Sequence, residues 1–182
     1  MHLTNGNGDG PLSSHIDNTW YTRGAVLEER VSAGGVVVRL DKGVLLVALI
    51  REIEYGVALE GYVLPKGGVE PGETIEETMR REIHEEVGLT DLTRVEGVVI
   101  LERLNVVKTK WSINHYGLFL TKQESGTILD AEHHFDFGWF PLDDLPPTYW
   151  PDERELLTRQ RLHIYDAVIA LQNPGKRKQY FM

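Results

Sequence analysis

One stretch limits what this chain can become. Residues 67 to 89 read Gly-Gly-Val-Glu-Pro-Gly-Glu-Thr-Ile-Glu-Glu-Thr-Met-Arg-Arg-Glu-Ile-His-Glu-Glu-Val-Gly-Leu. The run opens as a glycine-rich turn and continues as a helix, because Ile75, Met79, Ile83 and Val87 recur every four residues as an apolar stripe. A stripe of this kind must be buried, so the helix docks on a core. Beside it, Glu82, Glu85 and Glu86 lie at i, i+3 and i+4 on one face. Three like charges that close destabilise an isolated helix, whereas a divalent cation removes the penalty; carboxylate oxygens are the hard ligands magnesium or manganese prefers. A solvated acidic face is the plainer alternative, but the neighbouring stripe holds these carboxylates at the margin of a core. Glu73 stands near the helix start, where negative charge suits the macrodipole, and Gly88 follows the last apolar position as a stop signal. Arg81 can reach back to Glu73 or forward to the acidic group, fixing the rotamers of candidate ligands. Glu76 and Glu77 read as solvated.

These residues resemble the signature of the Nudix hydrolases. Gly67, Glu73, Arg81-Glu82, Glu85-Glu86 and Gly88 stand at its fixed positions, with the aliphatics Ile83 and Leu89 between and after them. Seven fixed positions match by chance with a probability below about 10⁻⁸ per window at average residue frequencies. The resemblance implies an α/β chain, an α/β/α sandwich around a mixed β-sheet, over roughly residues 31–171. It also implies a hydrolase of phosphoanhydride bonds in nucleoside diphosphate-linked compounds, dependent on Mg2+ or Mn2+. Glu82, Glu85 and Glu86 are then metal ligands and catalytic residues supported by Arg81, and the main-chain carbonyl of Lys66 is a further ligand. Gly67 and Gly68 suit such a place because they permit close backbone approach. A signature glutamate or a carboxylate from a distant loop accepts the water proton. In the loop 130–136 Glu132 is the first choice and Asp136 the second, with plain surface charge as the alternative. His133 and His134 stand side by side there, a pattern commoner on surfaces than at metals.

At 182 residues, 41% hydrophobic and 26% charged, the chain has the size and balance of one globular domain with extensions. The expected division is a flexible leader and arm over 1–30, the Nudix domain over 31–171, and a loose basic tail over 172–182. No apolar run approaches a membrane span, and the first residues lack the basic flank and apolar core of a secretory signal. Cysteine is absent, which excludes disulfides and thiolate metal sites. A cytoplasmic location and no membrane partner are the expectation. A formal net charge of −9 speaks against a nucleic-acid partner. It also repels a polyphosphate, so bound cations and local basic residues must reverse the field. Lys66, Arg51, Arg103, Lys108 and Lys110 are the candidates. Lys108 and Lys110 alternate on an expected strand, where they line a polyphosphate groove or guard an edge. Tyr62, Trp111 and Tyr116 are candidates to stack on a base, against the commoner burial of strand aromatics. The expected partner is a small-molecule nucleotide or other phosphoanhydride, with a second copy of the chain, a homodimer, as a further candidate.

The remaining pattern predicts strands at 31–40 and 44–50 joined by Asp41-Lys42-Gly43, a short one at 62–64, one or two over 92–107, and others at 111–121 and 135–140. A helical turn is predicted at 141–145 and a long helix over 153–171. Trp20 to Arg30 reads as an extra strand or a partner-contacting arm. Leu64-Pro65-Lys66-Gly67-Gly68, Glu132-His133 ahead of Trp139-Phe140, and Tyr149-Trp150-Pro151-Asp152-Glu153 resemble diadenosine polyphosphate hydrolases. A dinucleoside polyphosphate substrate is implied. The tyrosine such subfamilies often carry beyond the signature is Val106 here, and the proline of ADP-ribose subfamilies is Leu104. ADP-ribose, nucleotide sugars, diphosphoinositol polyphosphates and oxidised nucleoside triphosphates therefore stay open, as does a sensor that binds a nucleotide without cleaving it.

Overall fold

The structure, a computed structural model, describes residues 16–24, 27–54, 57–130 and 133–172. The strands are β1 (Glu28–Asp41), β2 (Val44–Glu54), β3 (Val57–Ala58), β4 (Lys66–Gly68), β5 (Thr93–Leu104), β6 (Lys110–Leu120) and β7 (His134–Pro141), with β1, β2 and β5 rich in β-branched residues and β7 in aromatics. They build one seven-stranded sheet in the order β3-β2-β1-β6-β5, with β4 added to β1 and β7 to β2. The β1–β6 pairing is parallel and the others are antiparallel, so the sheet is mixed.

Helix α1 (Ile75–Val87) covers one face and α2 (Pro151–Gln172) the other. Met79, Ile83 and Val87 pack with Ala33, Val37, Ile50, Val63 and Phe119. Leu156, Leu157, Ile164 and Val168 pack with Val36, Val38, Val47, Leu49 and Leu64. Successive residues of β1 thus feed opposite cores, as the two-residue period of a strand requires. The outcome is the expected α/β/α sandwich. Among the described residues no helix is long and apolar enough to cross a membrane.

The hairpin expected at Asp41-Lys42-Gly43 forms, and several other local expectations change. Lys42 and Gly43 both take positive φ (47° and 86°), the primed turn that matches strand twist. The strand predicted at 62–64 is reduced to isolated bridges, Ile50 to Val63 and Tyr62 to Thr148. Pairing with β1 begins at Lys66, after Pro65, which has no amide hydrogen for a ladder. Residues 92–107 hold a single strand, bulged between Val95 and Val98 where Gly97 takes φ 105°. At 141–145 a hydrogen-bonded turn, Asp144 N–H to the Pro141 carbonyl at 3.0 Å, replaces the predicted helical turn. Among the described residues, 20–24 form no strand and 28–30 belong to β1 rather than to an added one. Asn18–Tyr21 is a 3-10 turn whose Asp17 cap accepts the Thr19 N–H at 2.8 Å, and β1 begins at Glu28. Trp20 is buried edge-on against Trp150, with ring centroids 5.6 Å apart, so the turn packs on the chain's own core. Residues 1–15 of the expected leader and arm and 173–182 of the expected tail lie outside the described residues.

Candidate active site

Local chemistry fixes the acidic helix at both ends. The Thr74 hydroxyl accepts the Glu77 N–H at 3.2 Å, and the Glu77 carboxylate accepts the Thr74 N–H at 2.8 Å, which completes a capping box. Glu77 therefore secures the helix start while remaining exposed, as expected. At the other end Gly88 caps α1 at φ 71°, where a Cβ would lie 2.3 Å from the Thr127 nitrogen. With the apolar stripe turned onto the sheet, the acidic face rises beside β4. Glu82 and Glu86 are buried and Glu85 is half-buried.

Arg81 spans this face. Its Nε and Nη2 donate to Glu73 at 2.7 and 3.0 Å, and its Nη1 donates to Glu82 at 2.6 Å and Glu85 at 3.0 Å. Nη2 also donates to the Gly68 carbonyl at 2.9 Å, tying the helix to β4. Hydrogen bonds from Arg81, helped by Thr78 and the Glu70 N–H, hold the Glu73 carboxyl down at about 2. Burial pushes Glu82 up despite the opposing pull of Arg81 and Lys66. From β4, the Lys66 N–H donates to Glu86 Oε2 at 2.8 Å. A Cβ at Gly67 would meet the Glu82 carboxylate at 2.2 Å, so only glycine lets β4 lie this close.

Among the described residues, no three acidic, histidine or cysteine side chains are gathered as a pre-formed metal site. The guanidinium of Arg81 holds Glu82 and Glu85 in the arrangement present. The donor set nonetheless fits a hard divalent cation. All its members are oxygens, the buried Glu82 carries a desolvation penalty that a cation relieves, and Gly67 presses backbone against that carboxylate.

The other candidates scatter. Lys66 belongs to the site, its Nζ 3.9 Å from Glu52, a buried acid on β2 that the sequence reading passed over. Its signal was position: two residues after the buried Ile50, it shares that inward face. Arg51 is exposed on the opposite side of β2, 4.9 Å above the Tyr62 ring and 3.5 Å from Asp136. The Tyr62 hydroxyl donates to the same Asp136 at 3.0 Å. Leu129 and Asp130 both donate their N–H to the Glu85 carbonyl, at 2.7 and 3.1 Å, and the Asp130 carboxylate pairs with His133 Nδ1 at 2.8 Å. Glu132, the first choice for a base, lies outside the described residues.

Four expectations are corrected. Tyr116 cannot stack on a ligand, since it is 2% exposed and its hydroxyl donates to Glu153 at 2.7 Å beneath α2. Trp111 is likewise buried, its Nε1 donating to Glu102 at 2.7 Å. Arg103 offers no surface charge, because it is 1% exposed, bonded to Asp152 and Glu153 at 2.6 Å each, and set 4.2 Å over the Trp150 ring. Lys108 and Lys110 line no common groove with Lys66. Lys108 sits in the β5–β6 turn with its ammonium 4.4 Å from the Trp20 ring, and Lys110 pairs with Glu28 at 3.1 Å. On β1, Lys110 is opposite Glu28 and Lys66 opposite Gly34. That offset along the strand is roughly 20 Å at about 3.3 Å per residue.

A mixed sheet between two helices, with an acid-bearing helix against a glycine strand, defines the class. The NUDIX domain family matches residues 28–160, and the chain belongs to that family. Nudix hydrolases generally use divalent metals. MutT4 of Mycobacterium tuberculosis is 33% identical over 135 residues, which are 69% of this chain and 52% of that protein. The RNA pyrophosphohydrolase of Caulobacter vibrioides is 31% identical over 121 residues, 58% of this chain and 66% of that protein. The chain thus spans between about half and two thirds of the length of these relatives. The Ap4A hydrolase of C. elegans, in a binary complex, shares the fold with a TM-score of 0.61 at 22% identity, over 78% of this chain and 98% of that one.

Proposed function

We propose that the protein hydrolyses phosphoanhydride bonds in nucleoside diphosphate-linked compounds with Mg2+ or Mn2+, and that its substrate is a dinucleoside polyphosphate. The observation that carries this reading is the pair of buried carboxylates, Glu82 and Glu86, facing the backbone of Lys66 and Gly67 in a chain of the NUDIX family. Glu82, Glu85, Glu86 and the Lys66 carbonyl would hold the cation. When bound, the cation neutralises phosphate oxygens and stabilises charge on the departing group. Arg81 orients Glu82 and Glu85, and its bonds to Glu73 keep it anchored when those acids turn toward an ion. The Lys66 ammonium, close to Glu52 and acting on Glu82, supplies a point charge for a phosphate oxygen. The proton of the attacking water passes to a signature glutamate or to the 130–136 loop, with Glu132 ahead of Asp136. Asp136 stands second because Tyr62 and Arg51 already engage it.

The dinucleoside assignment is supported by the Leu64–Gly68 run and by Tyr149–Glu153. A second reading, pyrophosphohydrolysis of RNA, is favoured by the 31% identical relative and opposed by the net charge of −9. The test is a panel assay with Mg2+ or Mn2+ in which products are separated by ion-exchange chromatography. It would offer diadenosine tetraphosphate, ADP-ribose, a nucleotide sugar, a diphosphoinositol polyphosphate, an oxidised nucleoside triphosphate and 5′-triphosphorylated RNA. The highest kcat/KM is expected on diadenosine tetraphosphate, and a higher value on any other compound reassigns the substrate. Binding of a nucleotide with no cleavage anywhere in the panel would make the protein a sensor.

A further inference from the structure

The segment leading into β4 is gripped from both faces of the sheet. Glu86 of α1 accepts the Lys66 N–H at 2.8 Å, and Glu153, in the first turn of α2, accepts the Leu64 N–H at 2.8 Å. Pro65 between them has no amide hydrogen, so every N–H of this three-residue run is taken by a carboxylate, one from each helix. The Pro65 carbonyl in turn accepts the Gly35 N–H at 3.1 Å. Glu153 lies far outside the signature and is 1% exposed. While its Oε2 serves Leu64, its Oε1 receives Arg103 Nη2 at 2.6 Å and the Tyr116 hydroxyl at 2.7 Å. Arg103 is fixed in its own right by Asp152 and by the Trp150 ring. Burial of a carboxylate is costly unless its lone pairs are filled, and here three donors meet it, one of them a guanidinium.

We propose that Glu153 is a positioning residue for the cation site. It holds the Leu64 amide and, through the stiff Pro65, sets where the Lys66 carbonyl stands over the α1 carboxylates. The inference rests on the reading that this carbonyl faces a bound cation. Proline transmits the restraint because its φ is locked, so a shift at Leu64 is not absorbed before Lys66.

The test uses the full chain and compares Glu153→Gln with Asp152→Asn, which weakens the same Arg103 cluster without touching Leu64. A glutamine cannot accept from Leu64, Arg103 and Tyr116 together with its single amide oxygen, since its NH2 is a donor. Mn2+ affinity is measured without substrate by electron paramagnetic resonance, and amide signals of Lys66, Gly67 and Gly68 are followed without metal. Glu153→Gln is expected to weaken Mn2+ binding about 10-fold, the usual scale for residues that orient ligands, and to move those amide signals. Asp152→Asn should leave affinity within about twofold and the signals in place. Wild-type affinity and unmoved signals in Glu153→Gln overturn the proposal, as does an equal loss in Asp152→Asn. Should Glu153→Gln not fold, Glu153→Asp keeps the charge for Arg103 but falls a methylene short of Leu64, and the same outcomes apply. A wild-type protein that binds no Mn2+ refutes the cation site itself; the metal-free signals then decide the positioning claim alone.

Discussion

Each face of the sheet carries an acid that holds the same short segment, but the two surroundings are balanced differently. On the α1 side Arg81 bonds Glu73, Glu82 and Glu85, Glu86 accepts the Lys66 N–H, and Glu85 still meets water. On the α2 side Asp152 and Glu153 meet Arg103 and the Tyr116 hydroxyl in a closed interior beside Trp150. A closed ionic cluster survives only when its bonds are filled, because its charges have no water to turn to. An open one tolerates surplus negative charge, since water and arriving cations share it. Surplus charge at an accessible margin marks where chemistry is expected, and a filled cluster in the interior marks what holds that margin still.

Substitutions can break this contrast, in descending order of effect. Glu86→Gln removes an acid from the open group and should lower kcat on the preferred substrate by at least about 10³-fold while melting near the wild type. Near-normal turnover would remove Glu86 from the site. On the closed side Arg103→Met strands the buried Glu153 and the half-buried Asp152 and should cost about 3 to 5 kcal/mol by urea denaturation. A loss under about 1 kcal/mol would mean that the cluster behaves like a surface pair. Gly67→Ala puts a methyl group where the Glu82 carboxylate lies, and about a 10-fold weaker Mn2+ affinity is expected.

The smallest effect concerns pH. Glu73 sits at about 2 in the folded chain against an ordinary value of 4.5, so the stability it contributes is full above 4.5 and is lost as pH falls toward 2. Thermal melts of wild type and Glu73→Gln should converge across that window. A constant gap between them would show that Arg81 does not favour the charged form of Glu73.

The α1 helix was legible because three independent patterns agreed: an apolar four-residue repeat, a row of acids and a terminal glycine. Arg81 to Glu73 was also readable, since both face the same side of one local segment. The closed cluster was not. Arg103 and Glu153 meet across 50 residues, and nothing in a strand's alternation distinguishes an inward arginine with partners from an outward one. Tyr116 was misread for the same reason, because its partner arrives from a helix at the far end of the chain. The glycine-rich turn expected at Gly67 and Gly68 is part of β4, whose pairing with β1 depends on glycines that carry no strand signal.

One tether at the end of α1 has a mechanical consequence. Both amides at Leu129 and Asp130 hang on the Glu85 carbonyl, a peptide group of the residue whose side chain faces Arg81. The base of the acidic loop is thereby bolted to the acid-bearing rod. Any tilt of that rod carries its companion along, and the spacing between the two survives the motion.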